Sequence, residues 1–392
     1  MPTERTPLVQ SLKFDNDNDS TWKAEFLWLA KNCLPIIGTY LLQNSLQFAS
    51  VITLGHLGST ELAGAALGSM FASVSAWSTC FGVASALDTL CSQAWTGAKD
   101  KTLVGLHLQR ALLILAIMFI PIATIWLNAT SIFIYLKQEP ELAFHAGLFL
   151  KYLLIGAPFY IGFECVKKYL QAQGIMKASS YVLIIVAPIN LIMNYTFVYP
   201  FKLGFIGAPL ATSVSYMLML GLLLIYINFV DGKQAWGGWK RECLLDWGTF
   251  LKLAYPGIIS ISAEWWAFEL SALAAAFIGT VDLAAQSILL TSAGATYTFP
   301  FGVSVAASNR VGNCLGAMSP LKAKRAAGTA LCFAVLFGIA NSVFFIATRS
   351  WFGYSFTSDE DVVKKVAVIL PICGLFQIAD GLAGVSGGVI RG

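Results

Sequence analysis

The chain has 392 residues, 57% of them hydrophobic and 12% charged, with a mean hydropathy of +0.70. A chain this apolar has too little polar surface to cover itself in water, so part of its solvent is lipid. The formal net charge is only +4 and there is no basic stripe, which excludes a nucleic-acid partner.

Taken in chain order, residues 1–24 are polar, with an Asn/Asp run at 15–19. They read as a flexible cytosolic tail, with no cleavable signal peptide at the start. Inside this tail Glu4-Arg5-Thr6-Pro7-Leu8-Val9 resembles an acidic dileucine sorting signal, with Val9 in place of the usual Leu or Ile. About ten apolar segments long enough to span follow, at roughly 32–54, 62–86, 103–127, 148–170, 179–199, 208–230, 252–278, 284–308, 327–348 and 364–389. Charge and turn residues collect between them, at 55–61, 96–101, 128–140, 231–246 and 318–325. Open sheets cannot live in lipid and barrel strands alternate apolar with polar, so the expected fold class is an all-α polytopic membrane protein.

Basic residues set the expected orientation. With the tail inside, Lys99, Lys101, Lys177, Lys233, Lys240, Arg241, Arg310, Lys322, Lys324 and Arg325 fall in cytosolic loops. Lys137, Lys202 and Arg349 fall outside, with Lys364 and Lys365 at a helix end there, and the cytosolic excess favours a cytosolic N-terminus. The sequon Asn128-Ala129-Thr130 lies in a predicted outer loop. Asn18-Asp19-Ser20 would be cytosolic and Asn194-Tyr195-Thr196 lies inside a helix, so neither is usable. The eight cysteines are scattered through apolar runs and read as small buried hydrophobes, with neither metal spacing nor a disulfide framework.

The chain repeats itself after about 220 residues. Leu34-Pro35-Ile36-Ile37 is echoed by Tyr255-Pro256-Gly257-Ile258-Ile259, and Gly58-Ser59-Thr60-Glu61-Leu62-Ala63 by Gly279-Thr280-Val281-Asp282-Leu283-Ala284. Gly82-Val83-Ala84-Ser85-Ala86 matches Gly302-Val303-Ser304-Val305-Ala306, and Gln93-Ala94-Trp95-Thr96-Gly97-Ala98 matches Asn313-Cys314-Leu315-Gly316-Ala317. An even number of helices in the first unit makes the repeat parallel, as is common in secondary transporters. The expected division is a tail over 1–24, a first lobe of six helices over 25–245, and a second lobe of about four helices over 246–392. A second lobe with two helices fewer than the first reads as a fragment or a shortened isoform.

Two segments resemble the eukaryotic branch of the multidrug and toxic compound extrusion family. They are Ala86-Leu87-Asp88-Thr89-Leu90-Cys91-Ser92-Gln93-Ala94 and Pro300-Phe301-Gly302-Val303-Ser304-Val305-Ala306-Ala307-Ser308-Asn309-Arg310-Val311-Gly312-Asn313. Tyr169-Leu170-Gln171-Ala172-Gln173-Gly174, Glu264-Trp265-Trp266-Ala267-Phe268-Glu269, and Asp380-Gly381 followed by Gly388-Val389-Ile390-Arg391-Gly392 agree in order. The resemblance implies a two-lobed helical transporter without cofactors, working by alternating access.

Charged residues deep in apolar helices are costly and mark function. Glu264 and Glu269 stand in the seventh predicted helix, about 140° apart around its axis. A carboxylate in a cleft there can take up a proton in one conformation and release it in another. The resemblance implies that Asp380, beside Gly381 and Gly384 in the tenth helix, shares this work as a neighbour of Glu264. Glu164 stands three and four residues before Lys167 and Lys168, which is ion-pair spacing, and Asp88 reads as a structural residue. Gln43 and Gln47, one turn apart with Asn44 between them, form a polar stripe on the first helix. Together with Trp265, Gln286, Thr291 and Tyr297 they are the candidate substrate contacts, with Ser292, Trp266 and Phe299 as further polar and aromatic surfaces. Pro35, Pro158, Pro188, Pro256, Pro300 and Pro371 lie inside predicted helices.

With the resemblance, these residues point to a monomeric secondary antiporter that exports or sequesters small organic compounds, cationic or amphipathic, in exchange for protons across a lipid bilayer, with no metal site, at the vacuolar or lysosomal membrane or the plasma membrane. The alternatives are sodium coupling, a lipid-linked flippase of the same superfamily, or a receptor or scaffold without transport. There is no phosphate-binding Gly-Lys-Ser/Thr loop, and His56, His107 and His145 are far apart, so an enzyme is not expected.

Overall fold

Backbone N–H and C=O groups in lipid must be satisfied within the protein, and a helix does this inside one segment. The computed structural model describes residues 22–392 and follows that rule. The sorting sequence at 4–9 and the Asn18 sequon lie outside the described residues. The helices are α1 (Trp22–Gly55), α2 (Ser59–Ala72), α3 (Ser78–Gly97), α4 (Thr102–Leu127), α5 (Ala129–Tyr135), α6 (Pro140–Ala172), α7 (Ala178–Val198), α8 (Gly207–Phe229), α9 (Trp247–Ile278), α10 (Thr280–Gly316), α11 (Pro320–Thr348) and α12 (Glu360–Arg391). One π-helical turn, Ser73–Trp77, joins α2 and α3 into a single rod.

Among the described residues, eight of these rods are long and apolar enough to cross a membrane, which makes the chain a multi-pass membrane protein. Ten spans were expected. The two that fall outside this set, α1 and α9, run 34 and 32 residues. The amides Asn32, Gln43, Asn44 and Gln47 interrupt the apolar run of α1. The expected loop at 128–140 also changes, because α5 folds inside it and buries Ala129 and Phe133. Arg310, counted with the loops, lies within α10.

Two groups of helices pack around separate cores. In the first, α6 is central and touches α2, α3, α4 and α8, while α7 packs on α1 and α8. In the second, α10, α11 and α12 pack on one another. The seam between them is made by α3 against α9 and α10, and by α1 against α10 and α11. Small residues let these backbones touch. A Cβ added at Gly82 of α3 would stand 2.4 Å from the Ile258 Cα of α9, and one added at Gly302 of α10 would stand 2.4 Å from Ile37 Cγ1 of α1. Gly82 and Gly302, like Ile37 and Ile258, are partners in the sequence repeat, so the seam is built twice with the same parts.

The helix junctions repeat as well. Gly58 precedes α2 with φ 173° and ψ 162°, and Gly279 precedes α10 with φ 163° and ψ 169°. Outward faces carry bare aliphatic surface: Ile120, Ile184, Ile192, Val343, Val368 and Ile372 are all more than half exposed, as lipid contact requires. Asn194 is fully buried in α7, in keeping with its unused sequon. Cys332 is exposed and Cys373 half-buried, whereas the other six cysteines are buried as expected.

Candidate functional site

Three side chains from three helices of the second group converge: Glu264 from α9, Tyr297 from α10 and Asp380 from α12. All three are half-buried. The Tyr297 hydroxyl and the Asp380 carboxylate both lie within electrostatic reach of the Glu264 carboxylate. The glycines beside Asp380 make the room. A Cβ at Gly384 would stand 2.7 Å from the Tyr297 hydroxyl, and one at Gly381 would stand 3.6 Å from Pro300. Larger residues at those points would push α12 off α10. Two carboxyls and a phenol in one partly enclosed group can share protons. Glu269 lies five residues further along α9, half-buried and outside this group.

The predicted substrate contacts do not gather in one place. Gln43 is buried in the first group, where its amide Nε2 donates to Glu164 Oε1 at 2.8 Å. Gln47 is exposed one turn further on. Gln286 donates to Ser271 Oγ at 3.0 Å, and exposed Thr291 donates to its own helix at Ser287 O, 2.8 Å away. Ser292 is buried and bonds back to Ile288 O. Trp265 is better placed. Its ring lies 5.9 Å from that of Phe81, which lies 6.2 Å from Tyr160, so an aromatic run crosses the seam into the first group.

Beneath those rings stands a buried charged network. Lys167 Nζ donates to Glu164 Oε1 at 2.7 Å and to Gln43 Oε1 at 3.3 Å, and stands 4.4 Å from the Tyr40 ring centroid. Lys168 Nζ donates to both Asp88 oxygens, at 2.7 and 2.6 Å. The helical spacing of Glu164 and Lys167 signalled the first pair. The second joins residues 80 positions apart, and no local pattern announces it.

The seam carries polar ties where the N-terminal end of α1 meets the C-terminal ends of α3 and α10. Arg310 of α10 forms a two-pronged pair with Glu25 of α1, at 2.9 and 2.6 Å, and its guanidinium lies 4.8 Å from the Trp28 ring. Glu25 is only 2% exposed. Thr96 Oγ1 donates to Asn313 O at 2.7 Å, and at the opposite end of α3 Ser262 Oγ donates to Ser78 Oγ at 3.4 Å. Arg391 of α12 stands 3.9 Å from Asp88. Glu25 and Arg391 were not singled out from the sequence. The only signal for Arg391 was its place in the Gly388–Gly392 segment that resembles a family motif.

Comparison with known proteins follows the same outline. A family model described as MatE matches residues 35–196 and again 256–392. An uncharacterized transporter of Schizosaccharomyces pombe is 40% identical over 392 residues, covering 99% of this chain and 72% of the relative. Multidrug and toxin extrusion protein 1 of Homo sapiens is 36% identical over 348 residues, covering 88% of this chain and 61% of the relative. Among solved structures, the eukaryotic MATE transporter AtDTX14 aligns with a TM-score of 0.88 at 28% identity, over 94% of this chain and 83% of that one. A Vibrio cholerae MATE transporter, VcmN, aligns at 0.80 with 17% identity and so shares the fold.

Proposed function

The chain belongs to the MatE family of multidrug and toxin extrusion transporters, and on that premise we propose that it is a secondary active antiporter exchanging protons for small organic cations. Its relatives are transporters rather than enzymes, and nothing here calls for a cofactor. One observation carries the reading: Glu264 and Asp380, on different helices, share one half-buried group with the Tyr297 hydroxyl.

Two adjacent carboxylates attract either protons or a cationic substrate, and a proton bound there removes the charge that the substrate needs. Competition of this kind couples the two flows when the two helix groups alternate their opening across the membrane. Glu269 is a third carboxyl for the same task. Trp265 and Tyr297 offer aromatic faces to the cation, with Gln43, Gln47, Gln286 and Thr291 as polar contacts around the cleft. In this reading the N-terminus is cytosolic, the working unit is a monomer, and the membrane is vacuolar, lysosomal or plasma.

The test is uptake of a fluorescent organic cation into vesicles carrying the chain, under an imposed pH gradient, beside Glu264→Gln and Asp380→Asn. Uptake that collapses in both variants is the expected result. Variants that match an active parent would remove these residues from the coupling. Uptake driven by a sodium gradient instead would move the proposal to sodium coupling.

A further inference from the structure

We propose that Arg391 is a positioning residue that ties the charge on the Glu264–Asp380 pair to the closure of the seam between the two helix groups. The inference rests on the reading that these carboxyls gain and lose protons during transport.

The geometry starts on α12. Asp380 and Arg391 are eleven residues apart, about 20° from the same line along the helix and about 16 Å apart in rise. They therefore lie on one face, one at the carboxylate group and the other at the seam. The arginine side chain turns back toward Asp380: its Nη1 lies 3.5 Å from where a Cβ at Gly387 would stand. Its Nη2 donates to Ser304 Oγ at 3.2 Å, and that hydroxyl donates to Gly384 O at 2.7 Å. Gly384 is the residue packed against the Tyr297 hydroxyl, which lies within electrostatic reach of Glu264. Two hydrogen bonds thus tie the guanidinium to the α12 backbone that packs beside Tyr297.

Its other side faces the first helix group. Arg391 Nε stands 3.9 Å from Asp88 Oδ2. That N–H is buried and has no hydrogen-bond partner, an uncommon state for so strong a donor. The backbone beside it already crosses the seam: Thr89 Oγ1 donates to Arg391 O, and Gln93 Nε2 donates to Gly392 O at 3.0 Å. Arg391 is a permanent cation held between two acidic sites and satisfied by neither.

The surrounding charges decide which site controls it. From α3 it faces Asp88, whose oxygens are bonded by Lys168 of α6. Glu164 of α6 is matched by Lys167, and Tyr40 of α1 is within electrostatic range of Arg391. From α9 and α10 come Glu264 and Tyr297, and Asp380 shares its own helix. Asp88 and Glu164 each have a lysine, whereas Glu264 has the phenol and Arg391. When Glu264 and Asp380 are charged they draw on the guanidinium. When they bear protons Asp88 is its remaining anionic partner, and α12 is pulled onto α3.

The test measures the distance between spin labels at Lys99→Cys, after α3, and Lys324→Cys, on α11, in the chain with its native cysteines replaced, from about pH 5 to about pH 8. The expected parent shows a ratio of closed to open populations that changes about tenfold with pH, closed at the acid end. Arg391→Gln and Arg391→Met flatten this response, and Arg391→Lys retains it. The pair Glu264→Gln with Asp380→Asn stays in the acid form throughout. A parent without a pH response, or neutral Arg391 variants that keep the parent's response, would overturn the inference. If the carboxyl variants flatten the response and the Arg391 variants do not, only the role of Arg391 falls. If the response survives the carboxyl variants, the coupling reading falls and takes this inference with it.

Discussion

Replacing Arg310 with Gln tests how firmly the seam is held. Glu25 is nearly sealed from solvent and takes both prongs of the guanidinium, while the arginine side chain keeps 28% of its exposure. Removing one partner from a buried pair costs about 3–5 kcal/mol because the other charge is stranded. The solvent open to Arg310, and the favourable place of Glu25 in the first turn of α1, reduce the stabilisation to about 2 kcal/mol. Since the pair joins the two helix groups, most of that loss falls on the closed seam, and the open population rises roughly 30-fold. Cys33 reports it. The thiol is 4% exposed and sits two turns beyond Glu25, in a core shared with Ile37 of α1, Met176 and Val303 of α10. With the other cysteines replaced, its alkylation by a water-soluble maleimide should accelerate by about the same factor in Arg310→Gln, and less in Glu25→Gln, where the arginine keeps Trp28 and water. The exchanged pair, Glu25→Arg with Arg310→Glu, should recover much of the protection. Equal labelling in parent and single variants, or no recovery in the exchanged pair, would refute the view that this ion pair holds the seam.

Other perturbations have separate readouts. Gly82→Ala and Gly302→Ala each force a methyl against the opposite helix and should cost about 1–3 kcal/mol, seen as a lower melting temperature in detergent. Gly38→Ala and Gly221→Ala have open space and should not lower it. Lys167→Ala strands Glu164 beneath the aromatic run and should destabilise by about 3–5 kcal/mol, whereas Lys167→Met combined with Glu164→Gln should recover most of that in the same thermal assay. Tyr297→Phe removes the hydroxyl but keeps the ring, so cation uptake should weaken less than in Glu264→Gln; equal loss would show that the phenol proton is essential.

The rods were legible because an apolar stretch of about twenty residues has one stable form in lipid. The repeat was legible because Pro35, Gly58 and Gly82 have counterparts in order, and both glycine contacts at the seam trace back to it. Facing was not legible. A helix apolar nearly all round has no polar side from which its neighbours can be read, so the sequence did not show that Gln43 meets Glu164. Long-range pairing was hidden for a different reason. Glu25 and Arg310 are 285 residues apart, and only the packing of α1 on α10 brings them together. α5 escaped notice because seven residues are too few for a periodic signal, and the π-helical turn because its sequence, Ser-Val-Ser-Ala-Trp, suits an ordinary helix equally well.

That turn has a mechanical consequence. A π turn holds one residue more than the α turn it replaces and rotates everything beyond it by roughly a quarter of a circle. In the α2–α3 rod it lies between the part that packs on α6 through Gly64 and Gly68 and the part that meets the opposite group at Gly82. It also presents Ser75 to the indole N–H of Trp126, at 3.0 Å. One rod thus serves two partners on different bearings, and the phase between them is set by a single inserted residue. Sliding that insertion along the helix by a few positions would re-aim one end without unfolding either, giving the rod a way to twist while both of its ends stay packed.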